Sequence, residues 1–347
     1  GRNIASNYKL LFQYFSPLLK VFYKTFVLSS EVKFIESNEL NNINFYHSKF
    51  TDVELTSLSF DSASMSDSQK DESVLLMFES LGLIKTIGTN VEQFATFLIK
   101  VRHSYLSEVP FHNYNHAVSS TQMMYIILKE INKSDVVKLQ DSLSASLMLA
   151  ALLHDVSHEG FDSNFLKKSF SPLVYAHGSE ATLEHFHVSI AVSLLRDFLI
   201  MKNDNSLSLF WPTFVNSILA TNDDSNDQFV ADLKSKNDFD WKSEVDLILL
   251  SKVLIKITDA SRCFRPFENC RRSSESLFEE KKNQKEAAAE IEIEIEELKK
   301  IDAFEIEFID TVVDPLVQFL CKIDDKLTFL QEKIKSNRSS WTRFKEI

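Results

Sequence analysis

The stretch LSASLMLAALLHDVSH, Leu143–His158, decides how the rest of the chain is read. It opens on Leu, Ala, Met and Ser, with no Gly, Pro or charge before His154. These residue types favour a helix. The apolar ones fall on several of its sides, so the helix belongs inside a core rather than on a surface. The run then ends on adjacent His154 and Asp155, with His158 close behind. A carboxylate at the end of an apolar helix is costly to bury unless a cation or donors compensate it. A neutral imidazole binds one metal, whereas the carboxylate beside it has two oxygens and can bridge two. An ordinary C-terminal cap, with a histidine favoured by the helix dipole, accounts for one of these residues but hardly for all three.

Helical periods extend outward from this core element. Val91, Phe94, Ala95, Leu98 and Ile99 recur at three- and four-residue spacing, the mark of a buried helix face. Val188–Ile200 and Val245–Ile257 read as further apolar helices. Near the end, a helix beginning about Asp302 carries Phe304, Phe308, Val312 and Leu316 on one stripe. Between these, Glu275–Lys300 is highly charged. Its Glu-Ile alternation over 290–296 imitates a strand, but the flanking Ala287–Ala289 and Leu298–Lys300 favour a solvated helix. With 5 Gly and 6 Pro, the chain lacks the turn residues that an all-β fold consumes. The expectation is all-α: a large, compact multi-helix domain over 71–347, preceded by an appended region at 1–70. In that region, residues 1–30 read as aromatic and partly helical, and 31–70 as polar loop with a little strand. Asp61–Asp71 reads as either a linker or a surface loop.

The formal charge of −12 disfavours a nucleic-acid partner, which usually calls for a basic excess or stripe. Three Cys do not make a disulfide framework and fit a reducing compartment. The apolar run Leu18–Leu28 is broken by Lys20 and Lys24, unlike a signal peptide. No uncharged run approaches the roughly 18 residues of a membrane span. A cytoplasmic protein, or one shared with the nucleus, without membrane insertion is expected. Its oligomeric state is left open.

Other histidine clusters flank the decisive stretch. Phe111-His112-Asn113-Tyr114-Asn115-His116 follows Pro110, a residue suited to a helix start. If helical, it places His112 and His116 one turn apart, about 5–6 Å between Cβ atoms. Glu184 and His187 share a face of a later helix, where a carboxylate can hold a histidine's tautomer. Asp259 ends the 245–257 helix and can supply the fourth ligand of a site built from His116, His154 and Asp155.

The order of these motifs resembles the class I cyclic-nucleotide phosphodiesterases. It runs His112-Asn-x-x-His116-Ala, then Leu153-His-Asp-x-x-His158-x-Gly160 with Asn164, then Leu183-Glu-x-x-His187, then Ile218-Leu-Ala-Thr221, then Asp259. A lone His-Asp pair would indicate only the broader HD hydrolases. The resemblance is closest to the fungal high-affinity cyclic-AMP branch, is strong from about His103 to Asp259, and does not cover 1–70. It implies metal-dependent hydrolysis of the 3′ bond of cyclic AMP to AMP, ending a cyclic-nucleotide signal. Tight-metal ligands, usually for zinc, are implied at His116, His154, Asp155 and Asp259. A second metal, usually magnesium or manganese, would be bridged by Asp155. His112 matches the general acid and Glu184 the carboxylate that orients it. His158 and Asn164 match positions around the metals and their waters. Near the C-terminus, Glu305 stands where the family has a base-contacting Gln, and Phe308 where it has a base-stacking Phe.

Several departures accompany the match. Phe111 replaces a Tyr, and Tyr175-Ala-His-Gly178 replaces a Tyr-Asn-Asp stretch. Ser261-Arg262-Cys263 stands where a base-reading Asn is usual, and the Gln position is occupied by Glu305. A protonated Glu305 would mimic the amide. Alternatively, Glu305 is a solvated helix residue. Two other functions are compatible with the motifs: an HD-type phosphohydrolase acting on another nucleotide, and a non-catalytic cyclic-nucleotide-binding relic of the fold.

Overall fold

The computed structural model describes residues 50–133, 139–196, 198, 207–236 and 238–344. Among them every regular element is helical. In chain order these are α1 (Asp52–Leu55), α2 (Asp67–Ser80), α3 (Leu83–Thr86), α4 (Val91–Ser104), α5 (Tyr114–Asn132) and α6 (Asp141–Leu153). Next come α7 (Ser163–Lys168), α8 (Pro172–His177), α9 (Thr182–Arg196), α10 (Leu207–Ala220), α11 (Asn226–Ser235) and α12 (Glu244–Asp259). The chain closes with α13 (Phe267–Glu290), α14 (Ile301–Phe308), α15 (Asp314–Ile323) and α16 (Thr328–Arg343).

Helix α6 is the axis of the unit. Every residue from Ser142 to Leu153 is buried, and α5, α10 and α12 pack around it. A helix enclosed on all sides must satisfy its polar side chains locally. Accordingly, the Ser146 hydroxyl donates to the Phe210 carbonyl of α10 at 2.9 Å. Local chemistry starts the helices. Ser66 and Asn90 form capping boxes with Gln69 and Gln93 at α2 and α4. None of the described helices is long and apolar enough to cross a membrane.

Several expectations change. The boundary placed at residue 70 falls inside α2, and Leu55 and Phe60 belong to the main core. Asp61–Asp71 is neither linker nor surface loop throughout. Ser62 donates to the Asn115 carbonyl at 2.7 Å, and buried Asp71 accepts from Arg102 and Tyr114 at 3.0 and 2.8 Å. Residues 1–49 lie outside the described ones, as do parts of the expected 188–200 helix. The charged helix stops at Glu290, and 291–300 is non-helical. The alternation there is real: Ile291, Ile293 and Ile295 pack on a small cluster with Phe165, Leu173 and Phe186. Glu292, with φ +58°, breaks the helix.

The C-terminal stripe also shifts. Ile301, Glu305, Ile309 and Val313 are the buried positions, while Phe304, Phe308 and Val312 are half-buried. A π-turn over Ile309–Val313 joins α14 to α15, and past it Leu316, Val317 and Leu320 take over the core face. Leu149, almost fully enclosed in α6, is expected to lose about 2–5 kcal/mol on truncation to Ala. Val192→Ala, at a half-exposed position, is expected to be near neutral. Urea unfolding of both variants checks this contrast.

Candidate active site and metal centre

Helices α6 and α12 point their C-terminal ends at one spot. His154 caps α6 and Asp155 follows it, and Asp259 is the last residue of α12. His116 reaches the same spot from the first turn of α5. Ligand atoms of these four side chains lie within 4.8 Å of one another. His116 Nε2 is 3.1 Å from His154 Nε2 and 3.0 Å from Asp259 Oδ1. His154 Nε2 is 3.1 Å from Asp155 Oδ2. His154 Nδ1 lies 3.0 Å from the Ala151 carbonyl, a contact that uses Nδ1–H and turns the lone pair of Nε2 into the cluster.

The chemistry of this donor set fits a cation. Asp155 and Asp259 sit at helix C-termini, where the macrodipole disfavours negative charge. Asp155 is buried, and its Oδ2 has no hydrogen-bond partner. Burial would raise the carboxyl of Asp155, yet the His154 charge holds it well below its ordinary value. Burial would lower His154, and Asp155 holds it well above. The site therefore sustains its two anions only with positive charge beside them, which a proton on His154 Nε2 or a bound cation in its place supplies. A divalent ion meets that need with N and O ligands suited to zinc.

A second cluster adjoins the first. His112 is not on α5, which starts at Tyr114 with Asn113 as its cap, accepting from Asn115 N–H at 2.9 Å. The expected one-turn pairing is thus replaced by a turn residue beside a helix residue. The rings of His112 and His116 still lie 5.8 Å apart. Glu280 of α13 binds the turn: Oε2 accepts from the N–H groups of Phe111 and His112, both at 3.0 Å, and Oε1 lies 2.5 Å from His112 Nδ1. Burial would lower His112, but Glu280 outweighs it and raises the imidazole pKa. In return, Glu280 is brought down to about 2 against its own burial. His158 stacks on His112 at 4.2 Å between ring centroids. Burial and the His112 charge take His158 to about 3, so it stays neutral.

The carboxylate on His112 is therefore Glu280, not the Glu184 expected from sequence. Glu184 is buried in α9, and burial with the Asp155, Asp223 and Asp224 charges pushes it up to about 7. Asn164 is also displaced. It is exposed on α7, whose cap is Asp162 and whose buried face is Phe165 and Leu166. Glu280 was concealed in a segment that reads as solvated. The available signal was the stripe Cys270, Ser274, Leu277, Glu280, Gln284 and Ala288, which is buried at three- and four-residue spacing.

At the far end, two of the departures meet each other. Glu305 is fully buried, not solvated, and accepts from Arg262 Nε at 3.0 Å. The Arg262 guanidinium lies 4.7 Å from the centre of the Phe308 ring and 5.9 Å from that of Phe111. It thus lies on the ring expected to stack on a base. Phe111 in turn packs 4.6 Å from the His116 ring.

An all-α unit that gathers two His and two Asp at the ends of its inner helices has the HD-type architecture. Residues 111–334 match the family model described as 3′5′-cyclic nucleotide phosphodiesterase, and the chain belongs to that family. It is 25% identical over 300 residues to the dual 3′,5′-cyclic-AMP and -GMP phosphodiesterase 11A of Takifugu rubripes, covering 82% of this chain and 33% of the relative. It is 24% identical over 318 residues to a cGMP-specific phosphodiesterase of Dictyostelium discoideum, covering 88% of this chain and 65% of that one. The chain thus spans between a third and just under two thirds of these relatives' lengths. The phosphodiesterase domain of the Salpingoeca rosetta rhodopsin phosphodiesterase superposes with TM-score 0.77 at 23% identity, covering 83% and 91% of the two chains. Yeast caPDE2 superposes with TM-score 0.71 at 19% identity, covering 93% and 75%. These two structures share the fold.

Breaking the buried Arg262–Glu305 pair from one side strands a charge. Glu305→Gln is expected to cost about 3–5 kcal/mol, whereas the double change Arg262→Met with Glu305→Leu is expected to recover most of that loss. Denaturant midpoints of the single and double variants test it.

Proposed function

We propose that the chain hydrolyses the 3′ phosphoester bond of 3′,5′-cyclic nucleotides to 5′-monophosphates, with divalent cations at His116, His154, Asp155 and Asp259. The observation that carries the reading is adjacency: this ligand set stands beside a histidine already ion-paired with a buried carboxylate. Zinc suits the mixed N and O donors. Magnesium or manganese, as the second ion, would share Asp155 and take waters for its remaining positions. When bound, such ions offset charge on phosphate oxygens and favour hydroxide over water as the nucleophile.

The chain's own groups handle the proton. In the proposed roles, His112 Nδ1–H is engaged by Glu280, which leaves Nε2–H to donate to the departing O3′. Glu280 keeps the imidazole charged and its ring fixed, and neutral His158 packs on the ring without competing for the proton. Glu184, pushed up to about 7 by burial and in part by the Asp155 charge, lies within electrostatic reach of the cluster.

The resemblance pointed to cyclic AMP and the fungal branch. The relatives above are named for both cyclic nucleotides or for cyclic GMP, so the proposed substrate class is cyclic purine nucleotides, cyclic AMP among them. Hydrolysis of cyclic AMP and cyclic GMP with magnesium, with and without chelator, tests the reading; no turnover in any divalent metal overturns it. Asp259→Asn is expected to lower bound metal, read by elemental analysis.

Replacing the acid should be severe. His112→Ala is expected to lower kcat by about 10²–10⁴-fold while metal content stays unchanged. The active form needs His112 protonated, so kcat/KM should fall as pH rises through a value above 6.5. Glu280→Gln removes the group that raises this pKa, so the alkaline limb should move to lower pH. A limb unmoved in that variant would place the acid elsewhere.

A further inference from the structure

Against Phe111 lies a cavity of about 110 Å³, and His116 of the metal cluster stands in its wall. Arg262, Arg265 and Arg272 all line it, and Asp61 is the one carboxylate in its wall. Asp61 is already taken, accepting from Arg272 at 2.8 Å. Arg262 is matched by Glu305. Arg265 has no such partner. It is 4% exposed, yet it forms no ion pair among the described residues, and the Asp61 charge offsets only part of its burial.

The acceptors Arg265 does have are neutral. Nη1 donates to Gln122 Oε1 at 2.6 Å, and Nη2 to the Ser119 carbonyl and hydroxyl at 2.9 and 3.1 Å. Its buried Nε has no partner. A guanidinium carries more N–H donors than these acceptors use. A desolvated charge left in this state is expensive, and burial brings Arg265 down to about 10. Neutralisation by loss of its proton is ruled out near neutral pH, so a counter-anion is the remaining remedy. The cavity has room for a few waters, at about 30 Å³ each in the liquid, or for one tetrahedral oxyanion in their place.

We propose that this cavity is an anion site, adjoining the metal centre at His116 but built on the arginines, that takes a small oxyanion such as inorganic phosphate or the phosphate of a monoester. Arg265 supplies the buried charge and Arg272 the rim charge, an arrangement suited to charge-assisted hydrogen bonds. Gln122 and Ser119 belong to α5, so a bound anion braces the helix that carries His116. The site does not depend on the proposed hydrolysis and can be tested without it.

The test is thermal unfolding of the full chain in rising inorganic phosphate, with chloride holding ionic strength constant. A saturable rise in Tm of several degrees is expected. It should weaken by at least about tenfold in apparent affinity in Arg265→Gln and in Arg272→Ala. It should persist in Asp259→Asn, which disables the metal centre instead. Methyl phosphate, run in parallel, distinguishes a free-ion preference from an ester preference. Selenate soaked into crystals should lie within hydrogen-bond reach of Arg265. The proposal fails if both arginine variants respond as the parent does, if the response disappears with Asp259, or if selenate is found only at the metal centre. Arg272 is about half exposed, so its variant decides the matter even if Arg265→Gln does not fold.

Discussion

Two negative charges face each other where two apolar helices end, and the rest of the architecture follows from that. Asp155 and Asp259 close α6 and α12, at helix ends whose dipoles repel them. Left alone, such carboxylates would take up protons or draw water into the core. Two imidazoles interleave with them instead, and the ordered contact of His154 Nδ1 with Ala151 turns one nitrogen inward. Enclosing α6 completely keeps these side chains from swinging out. The apolar shell formed by α5, α10 and α12 therefore serves the charged cluster as much as it serves stability.

Around this cluster the protein manages charge in pairs. Glu280 is spent on His112, Glu305 on Arg262, and Asp61 on Arg272. Each pair ties elements far apart in sequence, so the pairs also carry register. Glu280 grips two backbone N–H groups of the turn before α5 as well as the imidazole. That threefold hold explains how a residue outside any helix keeps a fixed place. The Arg262 guanidinium, held over Phe308, links the C-terminal helices to Phe111 and through it to His116.

Much of this was legible in the chain. Leu143–Leu153 announced itself as interior through composition alone, and His154 and Asp155 were conspicuous as polar residues closing an apolar run. Asp259 was legible by the same logic. What stayed hidden depends on contacts between distant segments. Glu280 looks like its neighbours Glu279 and Glu275, because only packing against the turn at His112 separates them. Glu184 seemed the natural partner of His112 because nothing local reveals which of several acidic helices folds over that turn. Glu305 lies in an acidic helix, and its burial depends on Arg262, 43 positions earlier. The Glu-Ile run was ambiguous because its isoleucines pack on Phe165 and Phe186 from a non-helical segment, with the alternating burial of a strand but no strand partner among the described residues.

The π-turn at Ile309–Val313 is a seam between two helical phases. It accommodates one residue more than an α-turn would, so α14 and α15 present their inward faces out of step. Losing a single residue there would let the two helices merge into one continuous rod. Each residue of an α-helix advances about 100° around the axis, so merging would swing one half about its axis by roughly that angle. Either Glu305 would leave Arg262 or Leu316 and Leu320 would leave the core. The length of this seam is therefore held by contacts on both sides of it.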